Sequence, residues 1–214
     1  MVTIAVTGPS GMLGRRVMER FPDAVPVAFR SDGTLDDPLL EALAAIDPDW
    51  VINCAGAIDR EPDLWAVNAV LPHRIAHRWR LIQPSTDHVW DDTEYARSKR
   101  LGEAGHVIRC AIVDPDGGML ARARAHDTYG EVHREWNGIT AKAWADVAAL
   151  VIEGRLTGTV IPGSPTISHH ELLETARSIF GWTTRTFASR TRTWTAGEPN
   201  LMLPPIDVQL REYL

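Results

Sequence analysis

The chain predicts an α/β fold built on a doubly wound parallel sheet, and three observations carry that prediction. The apolar run Val2–Val6 leads straight into Thr7-Gly8-Pro9-Ser10-Gly11-Met12-Leu13-Gly14, a Gly-x-x-Gly-x-x-Gly loop. Short apolar runs then alternate with helix-patterned segments over the first two thirds of the chain, as they do when a parallel sheet is covered by helices on both faces. At 214 residues the chain is long enough to bury a full core as one domain.

Taken in order, Val2–Val6 is the first predicted strand and Met12–Arg20 the helix after the glycines. Val25–Phe29 is the second strand, and 38–46 a helix with Leu39, Leu40, Leu43 and Ile46 on one face. Trp50–Asn53 is the third strand and 62–77 a longer helix. Leu81–Ser85 is the fourth strand, followed by a helix over 93–104 and a fifth strand over 107–113. Beyond Asp114-Pro115-Asp116-Gly117-Gly118, a turn cluster, the pattern loosens. Helices are expected to His126, from Thr140 to Glu153, and from the capping box Ser168-x-x-Glu171 to Phe180, with a short strand at 159–161. The expected organisation is a single domain over 1–214. Residues 1–113 form mainly a dinucleotide-binding core, and 114–214 combine completion of that core with a small C-terminal lid on the substrate side.

Composition narrows the function. A net charge of -6 disfavours nucleic acid, whose phosphates want a basic face. Cys54 and Cys110 both lie in apolar runs, so neither a disulfide framework nor metal-ligand spacing is expected. His73 and His77 are four apart on a helix but lack a third ligand, so no metal site is expected. No run approaches the ~20 apolar residues that span a bilayer, and Met1 leads into a strand; no membrane association and a cytoplasmic location are the expectation.

In a parallel sheet, ligands bind beyond the carboxyl ends of the strands, which selects residues 8–14, 30–37, 54–59 and 85–92. Glycines at 8, 11 and 14 let backbone N–H groups approach a pyrophosphate at a helix N-terminus. Tyr95 and Lys99 stand four apart, hence on one helix face, where an ammonium beside a phenol favours proton transfer. Upstream, Ser85 and Thr86 alternate in direction, so one of the two hydroxyls faces the cleft. Arg30, closing the second strand, suits a ribose 2′-phosphate, with Arg15 as added charge, so NADP(H) is preferred and NAD(H) remains possible. Among eight tryptophans core packing is the default; Trp50, Trp144 and Trp182 fit core faces, while Trp90 and Trp136 fall near the expected cleft, where a ring can stack on a base or sugar.

Together the glycine loop, the Ser85-Thr86-Asp87-His88-Val89-Trp90 strand end and the Tyr95/Lys99 pair resemble the short-chain dehydrogenase/reductase superfamily. So do Val51-Ile52-Asn53-Cys54-Ala55-Gly56, Val67-Asn68-Ala69, Leu101-Gly102-Glu103 and Trp136-Asn137-Gly138-Ile139-Thr140. More narrowly, the chain resembles a shortened member of the extended branch that includes the dTDP-4-dehydrorhamnose reductases. That resemblance implies a Rossmann-type fold and an NAD(P)-dependent oxidoreductase acting on a nucleotide-linked 4-keto-6-deoxy sugar. Gly8, Ser10, Gly11, Met12, Leu13 and Gly14 would hold the pyrophosphate. Thr34 and Leu35 would lie near the adenine, and Ala55, Gly56 and Ala57 along the cofactor's path. Thr86, Tyr95 and Lys99 would be the catalytic set, with Lys99 also on the nicotinamide ribose and Asn68 supporting the neighbouring helix. Only eight residues separate Thr86 from Tyr95, fewer than the family usually has, so the shortening falls on the substrate side. The same resemblance admits a sugar-nucleotide epimerase, a non-catalytic NADP-binding regulatory or scaffold subunit, and a homodimer.

Overall fold

The computed structural model describes residues 2–28, 37–57, 64–125, 128–132, 135–183, 185–189 and 198–214. Arg30, Thr34 and Leu35, three of the expected cofactor residues, lie outside them. The chain divides into two compact units, residues 1–109 with 145–160 and residues 110–144 with 161–214.

The first unit holds a six-stranded parallel sheet. Its elements are β1 (Ile4–Thr7), α1 (Met12–Arg20), β2 (Val25–Val27), α2 (Asp37–Ile46), β3 (Trp50–Asn53), α3 (Leu71–Ala76), β4 (Arg80–Ser85), α4 (Glu94–Leu101), β5 (His106–Arg109) and, at the far edge, β6 (Thr159–Val160). The order across the sheet is β6-β5-β4-β3-β1-β2. Every pairing is parallel, with Ala5 opposite Val25 and Val51, Ile52 opposite Ile82, and Ser85 opposite Arg109. Strands covered on both faces need apolar residues throughout; Ala5, Val51, Ile52, Ile82 and Ile108 are fully buried. Leu39, Leu40 and Leu43 of α2 close over Val27 and Val51, with Leu64, Val67, Leu71 and Ile75 in the same cluster.

Two local departures from the expected elements have physical causes. Instead of running unbroken, the helix over 62–77 opens into a π-helical turn at Ala66–Val70 before α3. Asn68 lies in that turn, and its side chain is fully engaged: Oδ1 accepts from the Ala57 N–H (3.0 Å), while Nδ2 donates to the Ala57 carbonyl (2.9 Å) and to Ser98 Oγ (3.2 Å). The fifth strand ends at Arg109 rather than Val113, and Ile112–Val113 pairs with Ile139–Thr140 in the second unit.

In the second unit the helix His169–Phe180 is capped as its sequence requires. Ser168 Oγ accepts from the Glu171 N–H (3.1 Å), and the Glu171 carboxylate accepts from the Ser168 N–H (2.7 Å), which holds that carboxyl below its usual range. Leu172, Leu173 and Ala176 pack on Val113, Leu120, Trp136, Ile206 and Leu210. Trp136 is therefore a core residue, as core packing by default has it. The Asn137–Thr140 segment is pinned by Ser164 Oγ, which donates to the Gly138 carbonyl (2.8 Å), and by Gln209, which accepts from the Thr140 N–H (3.0 Å). Residues 128–132 and 185–189 form a parallel pair absent from the sequence-level reading.

Candidate functional site

The carboxyl edge of the first-unit sheet collects the described parts of the loops chosen from sequence, residues 8–14, 54–57 and 85–92. Thr7 and Asn53 close β1 and β3 there, with Thr7 Oγ1 donating to Asn53 Oδ1 at 2.6 Å and both residues buried. Beyond β1 the three glycines have three different reasons. Gly8 has φ +63°, and a Cβ on it would lie 2.9 Å from the Ala55 nitrogen. At Gly14 a Cβ would sit 2.1 Å from the Gly8 carbonyl oxygen. Gly11 has an ordinary φ of -70°, and its Cβ would meet nothing nearer than 3.4 Å. The protein's own packing therefore demands glycine at 8 and 14 but not at 11. The space beside Gly11, at the start of α1, is the place a ligand would use.

Gly11 supplies no capping side chain to α1, and no acidic residue lies in that helix's first turn. The first turn thus brings no competing carboxylate of its own, which suits a diphosphate. Ser10 and Gly11 are exposed, Met12 is half-buried, and Leu13 and Gly14 are buried. Leu13 can offer only its backbone, since its side chain belongs to the core. Ala55 and Ala57 are buried and Gly56 is exposed, so the chain after β3 presents one small, open step between two anchored alanines.

Tyr95 and Lys99 lie on α4, which begins at Thr93, whose Oγ1 accepts from the Ala96 N–H (3.1 Å). Tyr95 is half-buried and packs against the cluster that contains Ala57 and Leu64. Lys99, one turn on, is buried. Burial pulls its ammonium down to about 8, against the Glu103 carboxylate, which favours the charged form. Cys54 at the end of β3 is half-buried, and burial pushes its thiol up.

The alternation at the end of β4 is resolved. Ser85 turns away and donates through Oγ to Glu103 Oε1 at 2.6 Å. Arg109 grips the same carboxylate with Nε at 3.0 Å and Nη2 at 2.5 Å. Thr86 stands outside that network, and its hydroxyl has local partners: it accepts from the His88 N–H (3.1 Å) and donates to Asp87 Oδ1 (3.2 Å). His88 lies between two carboxylates, with Nδ1 2.8 Å from Asp91 Oδ2 and Nε2 3.6 Å from Asp87 Oδ1. The Ser85–Glu103–Arg109 network was missed as a unit at the sequence level. No local spacing signals it, because Ser85 and Arg109 meet only through the pairing of β4 with β5. Among the described residues no group of three His, Cys, Asp or Glu is placed to hold a metal, and no helix is long and apolar enough to cross a membrane.

No family model matches the sequence, and no curated protein matches it. Solved structures do. A dTDP-4-dehydrorhamnose reductase from Clostridium acetobutylicum superposes with a TM-score of 0.76 at 19% identity, over 99% of this chain and 98% of that one. The chain has the fold of these reductases. A second, from Bacillus anthracis in complex with NADP, gives 0.76 at 15% identity over 99% and 98% of the two chains. A dTDP-glucose 4,6-dehydratase from the same organism, in complex with NAD, gives 0.72 at 13% identity over 99% and 95%. At such identities the likeness is one of fold.

Proposed function

We propose that the chain is an NADP(H)-dependent reductase of a nucleotide-linked 4-keto-6-deoxy sugar. The observation that carries this reading is the buried Lys99 one helical turn from Tyr95, on an element at the same sheet edge as the glycine loop. A buried ammonium is costly, and a phenol four residues away gives that cost a use in proton transfer. The bound nicotinamide would supply a hydride to the sugar ketone. Tyr95 then gives its phenolic proton to the oxygen that becomes the alcohol. Lys99 stabilises the negative charge that Tyr95 acquires and would hold the nicotinamide ribose. Thr86 would hold the ketone oxygen, turning its hydroxyl proton from Asp87 towards the substrate.

Gly11 and the first turn of α1 would take the pyrophosphate, with Ser10, Met12, Leu13 and Gly14 around it. Gly56, flanked by Ala55 and Ala57, would leave room along the dinucleotide. Arg15, exposed on the first turn of α1, supports a phosphorylated ribose and with it NADP(H) over NAD(H), as does the expected role of Arg30, while Thr34 and Leu35 would lie near the adenine. One observation favours a second reading, a non-catalytic NADP-binding subunit: the Thr86 hydroxyl is already committed to Asp87 and His88.

The two readings separate on NADPH oxidation with dTDP-4-keto-6-deoxy-sugar. The reductase consumes NADPH in step with the ketone, and Thr86→Val lowers kcat by about 10²-fold. NADPH binding without consumption would leave the subunit reading in its place.

A further inference from the structure

We infer that Trp90 is the stacking platform for the base of a nucleoside diphosphate, with Arg100 beside it for the phosphates. This inference rests on the nucleotide-sugar reading above and names the part of the site that would hold the nucleotide. Trp90 is 73% exposed, the most exposed large hydrophobic ring among the described residues. An indole that open costs apolar burial, yet this one is not on a loose loop. Val89 beside it is fully buried, and Thr93 starts α4 three residues on. Arg100 donates to the Val89 carbonyl (3.3 Å) and lies 5.6 Å from the ring centroid. Arg109, clamped by Glu103, lies 5.9 Å from it. Two guanidiniums thus brace an aromatic ring whose remaining surface faces solvent.

Position and charge select the ligand. The ring lies four residues after Thr86 and five before Tyr95, in the short connection that remains at the substrate end of β4. Three of the four carboxylates of that connection have partners of their own, Asp87 with Thr86, Asp91 with His88 and Asp92 with Arg97, and the fourth, Glu94, lies in the first turn of α4. Arg100, exposed, donates to a carbonyl rather than to a carboxylate, and it shares the field of Asp92 without a hydrogen bond to it, so its guanidinium can still take an anion. A planar group carrying nearby negative charge fits that combination, and the base and diphosphate of a sugar nucleotide supply both.

Calorimetric titration of the full chain with dTDP tests this, with NADP+ titrated separately and then present at saturation. Trp90→Ala is expected to weaken dTDP by about tenfold, while Trp90→Phe, which keeps a ring, stays within about threefold. Arg100→Gln is expected to weaken it by about threefold and to flatten its salt dependence. NADP+ affinity is expected to be unchanged in all three variants, which also shows that they fold. Equal dTDP affinity in Trp90→Ala and the parent would overturn the inference. So would displacement of dTDP by NADP+, which would assign the ring to the dinucleotide, or NADP+ binding with no dTDP binding at all. Binding of dTDP that depends on Trp90, in a protein that never oxidises NADPH, would sustain the platform and fault the reductase reading alone.

Discussion

Lys99 is the residue whose environment makes the sharpest demand. Its ammonium titrates near 8 in the folded chain because it is buried, against an ordinary value of 10.5 in the unfolded one. Between those values the unfolded chain holds a proton that the folded chain has released, so stability rises with pH across that window. Below about 8 both states are charged and the burial cost is felt in full, on the order of 3 kcal/mol. Urea unfolding at pH 7 and pH 10 is expected to show this gain in the parent and not in Lys99→Met, which starts out more stable at pH 7. Activity has the opposite dependence: kcat/KM falls above about pH 8 as the charge is lost. At this scale the Tyr95/Lys99 spacing was legible in sequence because a helix fixes what four residues apart means. That Ser85, and not Thr86, is held by Glu103 was not. That depended on Glu103 and Arg109, brought to Ser85 by the pairing of β4 with β5.

Among the elements, the loop between β1 and α1 separates packing from binding. Gly14→Ala drives a Cβ onto the Gly8 carbonyl and is expected to cost on the order of 3 kcal/mol. Gly11→Ala has room, so its unfolding midpoint stays near the parent's, within about 1 kcal/mol. NADP+ affinity nonetheless falls by about tenfold or more, because the methyl enters the pyrophosphate's space. Denaturation and calorimetry on the same two variants check both halves. The crossing of α4 on the π-helical turn makes a similar demand: a Cβ on Gly102 would lie 1.7 Å from the Asn68 carbonyl oxygen. Asn68→Ala would strip the Ala57 N–H and carbonyl of their partners at a cost of about 2–4 kcal/mol, readable as a drop in denaturation midpoint. The helix itself was legible from its apolar spacing. The π-helical turn was not, because Asn68 takes its partners from Ala57 and Ser98, eleven residues before it and thirty after.

On the scale of the whole molecule, the sheet has two unlike edges. At the amino ends of β3, β4 and β5, Arg80 lies 3.7 Å over the Trp50 ring and His106 packs 5.3 Å from it. The carboxyl edge instead gathers the glycine loop, the Ala55–Ala57 step, Thr86, Tyr95 and Lys99. The alternation of strands and helices made that parallel sheet readable, because buried strands and amphipathic helices carry different apolar periods. The second unit was less readable: its two-residue strands and the 128–132 with 185–189 pairing are set by distant partners rather than local pattern. The claim that matters most is that the carboxyl edge transfers hydride with Tyr95 as proton donor. The most direct measurement is NADPH oxidation with dTDP-4-keto-6-deoxy-sugar by the parent and Tyr95→Phe, with NADPH affinity measured on the same preparations. The expected result is a loss of about 10³-fold in kcat with cofactor affinity within about threefold. Equal turnover by the two proteins would contradict it.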